Sequence, residues 1–503
     1  MPTRRILPAS IVLLAIISQA CERDLPGGPH ASSSTGAAAS GTPMRLSFVT
    51  RTPTSGEANV PISPPLQVAV RDSLGNTIPG AADTVTLALA ANPSEALLVG
   101  TARVATIDGM ATFRDLRVDR PGSGYTLAAS RAGVTEATSA PFAMHVTFVS
   151  VDGGYIHTCG VTTSGAAYCW GDNFSGQLGE EAAPSVWYRA SPAPVAGADL
   201  KFTTISTGVW HTCAVASSGA AYCWGDNFFG QLGDGTNDAR ATPVPVAGGL
   251  RFAAVSAGSF HTCGVTTSGA AYCWGDNQSA QLGDGTTDRR ATPVPVAGGL
   301  TFATISAGHA HTCGVIAGGV AVCWGDDTSG QLGDDGVSAG KASIRPYPAP
   351  VLGVRGFVRV SAGNVHTCGV TWRGAAYCWG YNLWGQLGDG TTTQRARPVR
   401  VTGGLRFAAV DAGSYFTCGL VSDGTAYCWG ENRDGELGDG TTTSRSSPVA
   451  VAGGRRFATL RAGWYHACAM QSDRGAVCWG YNAHGQLGEG TTVSDLTPAR
   501  VVQ

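Results

Sequence analysis

The chain reads as an all-β protein, a β-propeller preceded by a smaller β-sandwich. Three observations predict this. First, from residue 147 onward a segment of the form H-T-C-G-V-T-T-S-G-A-A-Y-C-W-G-D-N-x-x-G-Q-L-G returns seven times, its copies 50 to 55 residues apart. Self-similarity at such a period marks an array of one structural unit. Second, each copy holds four strand-like runs, in the third copy Arg251–Ala257, His261–Thr266, Ala270–Gly275 and Pro293–Val296. Four strands per unit, repeated, is the pattern of a propeller. Third, residues 44–146 alternate apolar and polar residues with period two between Gly, Asn and Pro turns, which predicts antiparallel strands.

In chain order, Arg4 and Arg5 precede an apolar run from Ile6 to Ala20 that is too short for a confident membrane span. With small residues before Cys21, residues 1–21 resemble a bacterial lipoprotein signal, in which the cysteine is lipidated and becomes the mature N-terminus; ordinary cleavage near Ala20 is the alternative. Fourteen of the fifteen cysteines fall in the repeats, so Cys21 is the odd one, and lipid attachment gives it a role. Membrane contact is expected only through that anchor. Residues 22–43, rich in Ala, Ser, Gly and Thr, read as a flexible tether.

Residues 44–146 predict about seven short strands, the number of a β-sandwich. Alternation is visible in Met44–Val49, Leu66–Asp72, Val85–Leu89, Met110–Val118 and Tyr125–Ala129. The stretches Pro65–Asp72 with Gly75-Asn76, and Gly109–Leu116, resemble bacterial immunoglobulin-like domains. That resemblance implies a spacer or an adhesive module, and a spacer is favoured here.

Over residues 147–503 the runs A-G-x-x-H-x-C-x-V and S-G-A-A-Y-C-W-G-x-N-x-x-G-Q-L-G resemble the regulator of chromosome condensation repeat family, more closely than the kelch repeats of similar period. The resemblance implies a seven-bladed β-propeller. The chain departs from the nuclear members by its export signal, its cysteine pairs and its lack of a basic tail, which puts chromatin binding and nucleotide exchange in doubt. Closure of the ring is expected from the C-terminal strand Thr497–Val502 completing the blade that starts at residue 147.

Each copy carries a C-x9-C pair: Cys159 with Cys169, Cys213 with Cys223, Cys263 with Cys273, Cys313 with Cys323, Cys368 with Cys378, Cys418 with Cys428, and Cys468 with Cys478. The two flank a short hairpin turn, so they oppose each other at a separation that suits a disulfide, and an exported chain meets an oxidising space. Zinc on His157, Cys159 and Cys169 would leave a tetrahedral set incomplete. His recurs at 157, 211, 261, 311, 366 and 466, with Phe416 in the sixth copy; a group repeated six times and replaceable by Phe reads as packing. Asp172-Asn173 and Asp234-Gly235-Thr236 lack the order of a calcium loop and read as turn residues bonding backbone amides. No cofactor, metal or catalytic set is expected.

What differs between copies is free to bind. Variation concentrates between strands one and two and after the Asn or Asp of the loop between strands three and four. In an antiparallel four-stranded unit both connections lie at one end. That end gathers Tyr155, Trp187, Trp210, Phe228, Phe229, Phe260, Trp384, Tyr415, Trp464 and Tyr465, whereas Trp372 alone of the non-recurring tryptophans lies at the other. Exposed aromatics are common interface anchors. The net charge of −2 argues against a nucleic-acid surface. The sequence therefore predicts a monomeric, exported, envelope-anchored or secreted binding protein for a protein or glycan partner. The alternatives are an envelope lyase or hydrolase and, more distantly, a nucleotide-exchange activity.

Overall fold

The computed structural model describes residues 44–79, 83–134, 136–180, 187–197, 199–336 and 343–502. The signal-like segment, Cys21 and the tether lie outside the described residues, as do 181–186 and 337–342 in the longer first and fourth units. Among the described residues every regular element is a strand, from Arg45 to Arg500.

The strands between Arg45 and His145 form three sheets. One pairs Arg45–Phe48, Leu66–Arg71 and Met110–Phe113; the largest centres on Phe142–His145, Gly122–Ser130 and Thr84–Ala91; the smallest pairs Leu98–Val99 with Arg117–Val118. The alternating side chains Leu66, Val68, Val70, Val85, Tyr125 and Leu127 are buried together, as period-two patterning requires. The expected single strand Met110–Val118 is broken instead. Its two ends belong to different sheets, and Asp115 turns out to hold Thr101 through the Thr101 N–H and hydroxyl at 3.0 and 2.9 Å.

After this module come seven four-stranded antiparallel sheets, each made of four consecutive strands. In the third they are Phe252–Ala257, His261–Thr266, Ala271–Gly275 and Arg290–Pro295. The cysteine pairs are bonded across the central two strands of their own sheets. Cys159 joins Cys169, Cys213 joins Cys223, Cys263 joins Cys273 and Cys313 joins Cys323. Likewise Cys368 joins Cys378, Cys418 joins Cys428 and Cys468 joins Cys478, and in all seven the Cα atoms are 4.1 Å apart. The register explains the pairing, because Cys263 stands directly opposite Cys273 and each other pair does the same.

Apolar cores lie between successive sheets rather than within them. Cys159, Val161, Leu178 and Val195 of the first sheet pack on Phe202 and Trp224 of the second, and this grouping recurs around the array. The recurring tryptophans are fully buried, and each indole N–H donates to the main-chain carbonyl of the Gln (Glu436 in the sixth unit) of the preceding unit, as Trp324 Nε1 does to Gln281 O at 2.9 Å. This approach explains the Gly of Q-L-G. Gly283 has φ +68°, and a Cβ there would sit 2.6 Å from Trp324 Nε1.

Ring closure differs from the expectation. The last strand, Asp495–Arg500, pairs with Ala476–Gly480 of its own unit, and the first sheet already owns a fourth strand, Tyr188–Pro194. No strand is exchanged. The seventh sheet meets the first through the contacts that join the first five successive pairs: Trp170 Nε1 donates to Gln486 O at 2.9 Å and Thr158 Oγ1 bonds His466 Nε2 at 2.8 Å. With every sheet complete, closure needs only one more copy of the same interface.

The N-terminal module rests on the first sheet. Tyr168 Oη donates to Asp119 O at 3.1 Å, and Arg189 bridges Glu180 at 3.0 Å and Glu95 at 3.5 Å. Tyr168 is therefore fully buried, while the equivalent Tyr222 and Tyr272 are half-exposed.

Candidate functional site

The recurring residues turn out to be joints. His157, His211, His261, His311, His366 and His466 each reach, through Nε2, the Thr hydroxyl of the next sheet at 2.8–3.0 Å. That hydroxyl donates onward to the Gln carbonyl already holding the Trp, as Thr312 Oγ1 does to Gln281 O at 2.8 Å. A hydroxyl that donates to a carbonyl must accept from the imidazole, so each His carries a proton on Nε2. Burial keeps the ring otherwise unprotonated and neutral, pushing the His261 pKa down to about 3 and each of the other five likewise. The sixth interface breaks the rule on both sides at once. Phe416 replaces the His and Ala467 replaces the Thr, and the two share one apolar cluster. Partners in adjacent copies are invisible to a reading of each copy alone; the only trace in the sequence is this paired departure.

The other site-like features are also structural. Asp172 Oδ2 accepts from Phe174 N at 3.2 Å and Gln177 Nε2 at 2.6 Å, and Asp234 Oδ1 accepts from Thr236 N at 2.9 Å. In the sixth unit Glu436 stands where the others have Gln; burial pushes its pKa up to about 7, but it is only 2% exposed, beneath the surface.

The unit-specific aromatics come together at one end of the ring. With all strands consecutive and antiparallel, the one-to-two and three-to-four connections share that end. Phe228 meets Phe229 at 5.0 Å between ring centres, and Phe229 meets Phe260 of the next sheet at 5.1 Å. Phe260 touches His309 at 6.1 Å, and His309 meets Trp464 of the seventh sheet at 5.7 Å. Trp464 then touches Tyr155 at 5.6 Å, and Tyr155 touches Trp210 at 5.2 Å and Tyr465 at 5.4 Å. An unbroken path of contacting rings thus crosses five sheets. The His309–Trp464 contact joins the fourth sheet to the seventh, so it spans the mouth of the central cavity, which Trp464 also lines.

Three expected residues stand beside this path. Trp384 lies under the Arg433 guanidinium at 4.4 Å, Tyr415 pairs with Tyr381 at 6.1 Å, and Trp187 pairs with Phe174 at 5.5 Å. Phe174, Trp187 and Phe228 are 70, 62 and 68% exposed, while the others are half-buried against one another. His309, Phe174 and Tyr381 were not among the expected anchors, although the first two sit in the variable pairs. Trp372 is at the opposite end, 67% exposed, with Arg373 over its ring. Burial lowers the His309 pKa, and burial beside Tyr155 pushes Tyr465 up to about 12. Cations stand over two of its rings, Arg289 over Phe229 at 4.4 Å and Arg433 over Trp384, each also paired with a carboxylate, Asp276 and Glu431.

Comparison with known proteins follows the repeats. A model described as the RCC1-like domain matches residues 251–503, half of the chain, and models of the regulator of chromosome condensation (RCC1) repeat match 164–215 and 218–265, and 148–177 and 202–231. The human E3 ubiquitin-protein ligase HERC2 is 38% identical over 100 residues, 20% of this chain and 2% of that protein. The ultraviolet-B receptor UVR8 of Arabidopsis thaliana is 37% identical over 94 residues, 18% of this chain and 21% of that one. The matches therefore span a small part of these relatives' length. Among solved structures, yeast RCC1 (Prp20) bound to Kap60 superposes with a TM-score of 0.60 at 20% identity, covering 71% of this chain and 85% of that one. Human WBSCR16 gives 0.60 at 19% identity, covering 78% and 100%. These structures share the fold. With half its length matched by the domain model and the preceding units by the repeat models, the chain belongs to the RCC1-like domain family.

Proposed function

We propose that this chain is a binding protein, a seven-bladed propeller that offers its aromatic loop face to a protein or glycan partner. The N-terminal sandwich, read as immunoglobulin-like, serves as a spacer. Export, with lipidation at Cys21 or secretion, belongs to the same reading, as does a monomeric state. The observation that carries it is the unbroken path of aromatic contacts from Phe228 to Tyr465, built from residues the repeat does not require. Large rigid side chains with a polar tip are the usual anchors of interfaces. The yeast relative solved with Kap60, and Saccharomyces cerevisiae Prp20p with its binding to Gsp1p and histones, lend an analogy of fold. An enzymatic reading draws no support from the six joint histidines or Glu436, whose perturbed groups are buried beneath the surface.

The test captures partners by cross-linking on the native envelope and by glycan array, then measures affinity for Trp210→Ala, Phe229→Ala, Trp384→Ala and Trp464→Ala against Trp372→Ala. Hot-spot truncation should weaken binding by about 2 kcal/mol, roughly thirtyfold. Normal binding by the four, with loss only in Trp372→Ala, would place the partner on the opposite face.

A further inference from the structure

The net charge of −2 hides an uneven distribution. Because the strands of each sheet are consecutive and antiparallel, the two-to-three turns and the linkers between sheets share the end opposite the aromatic face. Hydrogen bonds tie these segments into one rim: Phe407 N donates to Gly374 O and Phe457 N to Gly424 O, both at 2.8 Å, and Trp372 N donates to Gly356 O at 3.0 Å. In sheets five to seven this rim is rich in arginine. The linkers entering them carry Arg355, Arg406, Arg455 and Arg456. Two turns add Arg373 and Arg474, and two outer strands end on Arg400 and Arg500. All but the half-buried Arg455 are exposed. Among the described residues only two carboxylates oppose them here, Asp423 and Asp473, and each is already paired, with Arg456 at 3.7 Å and Arg500 at 3.5 Å. The axial cavity, by contrast, is balanced, with Arg359 and Arg461 set against Asp152 and Asp411.

The repeat does not require this charge. Arg373 stands where the first three copies have Ser164, Ser218 and Ser268, and Arg355 where they have Leu200, Leu250 and Leu300. Arg474 stands where the other six copies have a glycine of positive φ, such as Gly374 at +78°, and it keeps that backbone at φ +66°. A long side chain held in the left-handed region, with no hydrogen bond or ion pair among the described residues, points to a use outside the fold. The same end gathers exposed apolar side chains. Leu352, Val358 and Trp372 all belong to the fifth sheet or the linker into it. Arg373 lies over the Trp372 ring at 4.5 Å, and a Cβ on Gly356 would sit 2.8 Å from the indole, so the ring is held beside Arg355. Cations around exposed apolar groups and a tryptophan suit a lipid surface, where the apolar groups enter the headgroup layer and the guanidinium forks meet phosphates. A soluble polyanion would engage the arginines but leave Leu352 and Val358 in water.

We propose that this basic end docks on an anionic lipid bilayer, with Trp372, Leu352 and Val358 entering the headgroup layer and the arginines of sheets five to seven facing lipid phosphates. The contact is separate from any lipid at Cys21 and turns the aromatic face away from the membrane. The experiment sediments the full chain, carrying Cys21→Ser so that no acyl group contributes, with vesicles of phosphatidylcholine alone or mixed with phosphatidylglycerol. Binding to the anionic vesicles should be at least about tenfold tighter than to the neutral ones and should weaken as salt rises. Arg373→Glu with Arg406→Glu should lower it at least about tenfold, and Trp372→Ala should lower it too. Arg103→Glu with Arg114→Glu makes the same charge change at exposed positions of the N-terminal module and should leave it unchanged. Arg474→Gly, which restores the residue of the other copies, should raise the thermal midpoint and yet weaken binding; it carries the test should the charge reversals fail to fold. Equal binding to neutral vesicles, an equal loss in the control pair, or full binding by the arginine variants overturns the proposal. A duplex oligonucleotide at equal phosphate concentration is the second ligand, and tighter binding to it than to the vesicles would assign the basic end to nucleic acid instead.

Discussion

The sixth interface supplies a natural double mutant for the other six. Changing His261 to Phe removes one buried hydrogen bond to Thr312, worth about 1 kcal/mol, and forces a larger ring against that side chain, at about 1–3 kcal/mol. The single variant should lose about 2–4 kcal/mol. Changing Thr312 to Ala alone strands the His261 N–H in a fully buried place, costing about 1–3 kcal/mol. Together they recreate the Phe416–Ala467 joint. Gln281 O keeps its Trp324 donor at 2.9 Å, so no acceptor is orphaned. The double variant should lose only about 1 kcal/mol, a coupling of about 2 kcal/mol or more between residues in contact. Urea unfolding with disulfides intact, followed by tryptophan fluorescence, measures all four corners. A double variant as unstable as the sum of the singles would mean that the histidines are not joints of this kind.

Three further outcomes follow. The joint histidines hold pKa values near 3 in the folded state against about 6.5 unfolded, so the unfolded chain binds more protons between those values and stability falls as pH drops from 6.5 towards 3. Each contributes up to about 1.4 kcal/mol per pH unit there, and the double variant His261→Phe with Thr312→Ala should show a shallower fall in thermal midpoint between pH 6.5 and 4. Gly283→Ala should cost about 2–5 kcal/mol from positive φ and the clash with Trp324, whereas Gly249→Ala, with a similar φ of +64° but nothing near its Cβ, should cost only about 1–2 kcal/mol; equal losses in unfolding midpoint would refute the clash. Replacing Cys263 and Cys273 by Ser should cost about 2–3 kcal/mol, and non-reducing peptide mapping should recover seven pairs, each within one unit; free thiols in the native protein would contradict the pairing.

Much of this was legible because a repeat reports on itself. Strand positions followed from alternation, and the cysteine pairing from facing positions in a hairpin. The aromatic face emerged where copies disagree. What was not legible lies between copies. Five of the six His–Thr joints link residues 51 to 56 positions apart and the closing one, Thr158 with His466, links residues 308 apart; Thr312 looks like an ordinary strand residue until its neighbour's imidazole is placed beside it. Closure was misassigned because an array of like units does not say whether its last strand serves its own sheet or the first; Tyr188–Pro194 decides it by filling that edge. Arg359, Asp411 and Arg461 do break the small-residue pattern at their registers, but only the ring geometry turns three isolated departures into one cavity.

The half-burial of most face aromatics bears on their fitness as anchors. An interface side chain loses about 0.5–1.5 kcal/mol when a rotamer-rich group is immobilised. Tyr155 is already wedged among Trp210, Trp464 and Tyr465, and His309 is tied through Nδ1 to Ser259 Oγ at 2.8 Å. Beneath them, disulfides and joints fix the strands that carry the loops. Those rings have little conformational freedom left to lose, so the area they present is smaller than in an open patch but is pre-ordered. Phe174, Trp187 and Phe228, more exposed and set in the three-to-four loops, supply the complementary element: apolar area still in water, available to be buried by a partner. Under the proposed function, a rigid centre with exposed rings around it would give the face both its shape and its driving force, and both come from residues that the repeat leaves free.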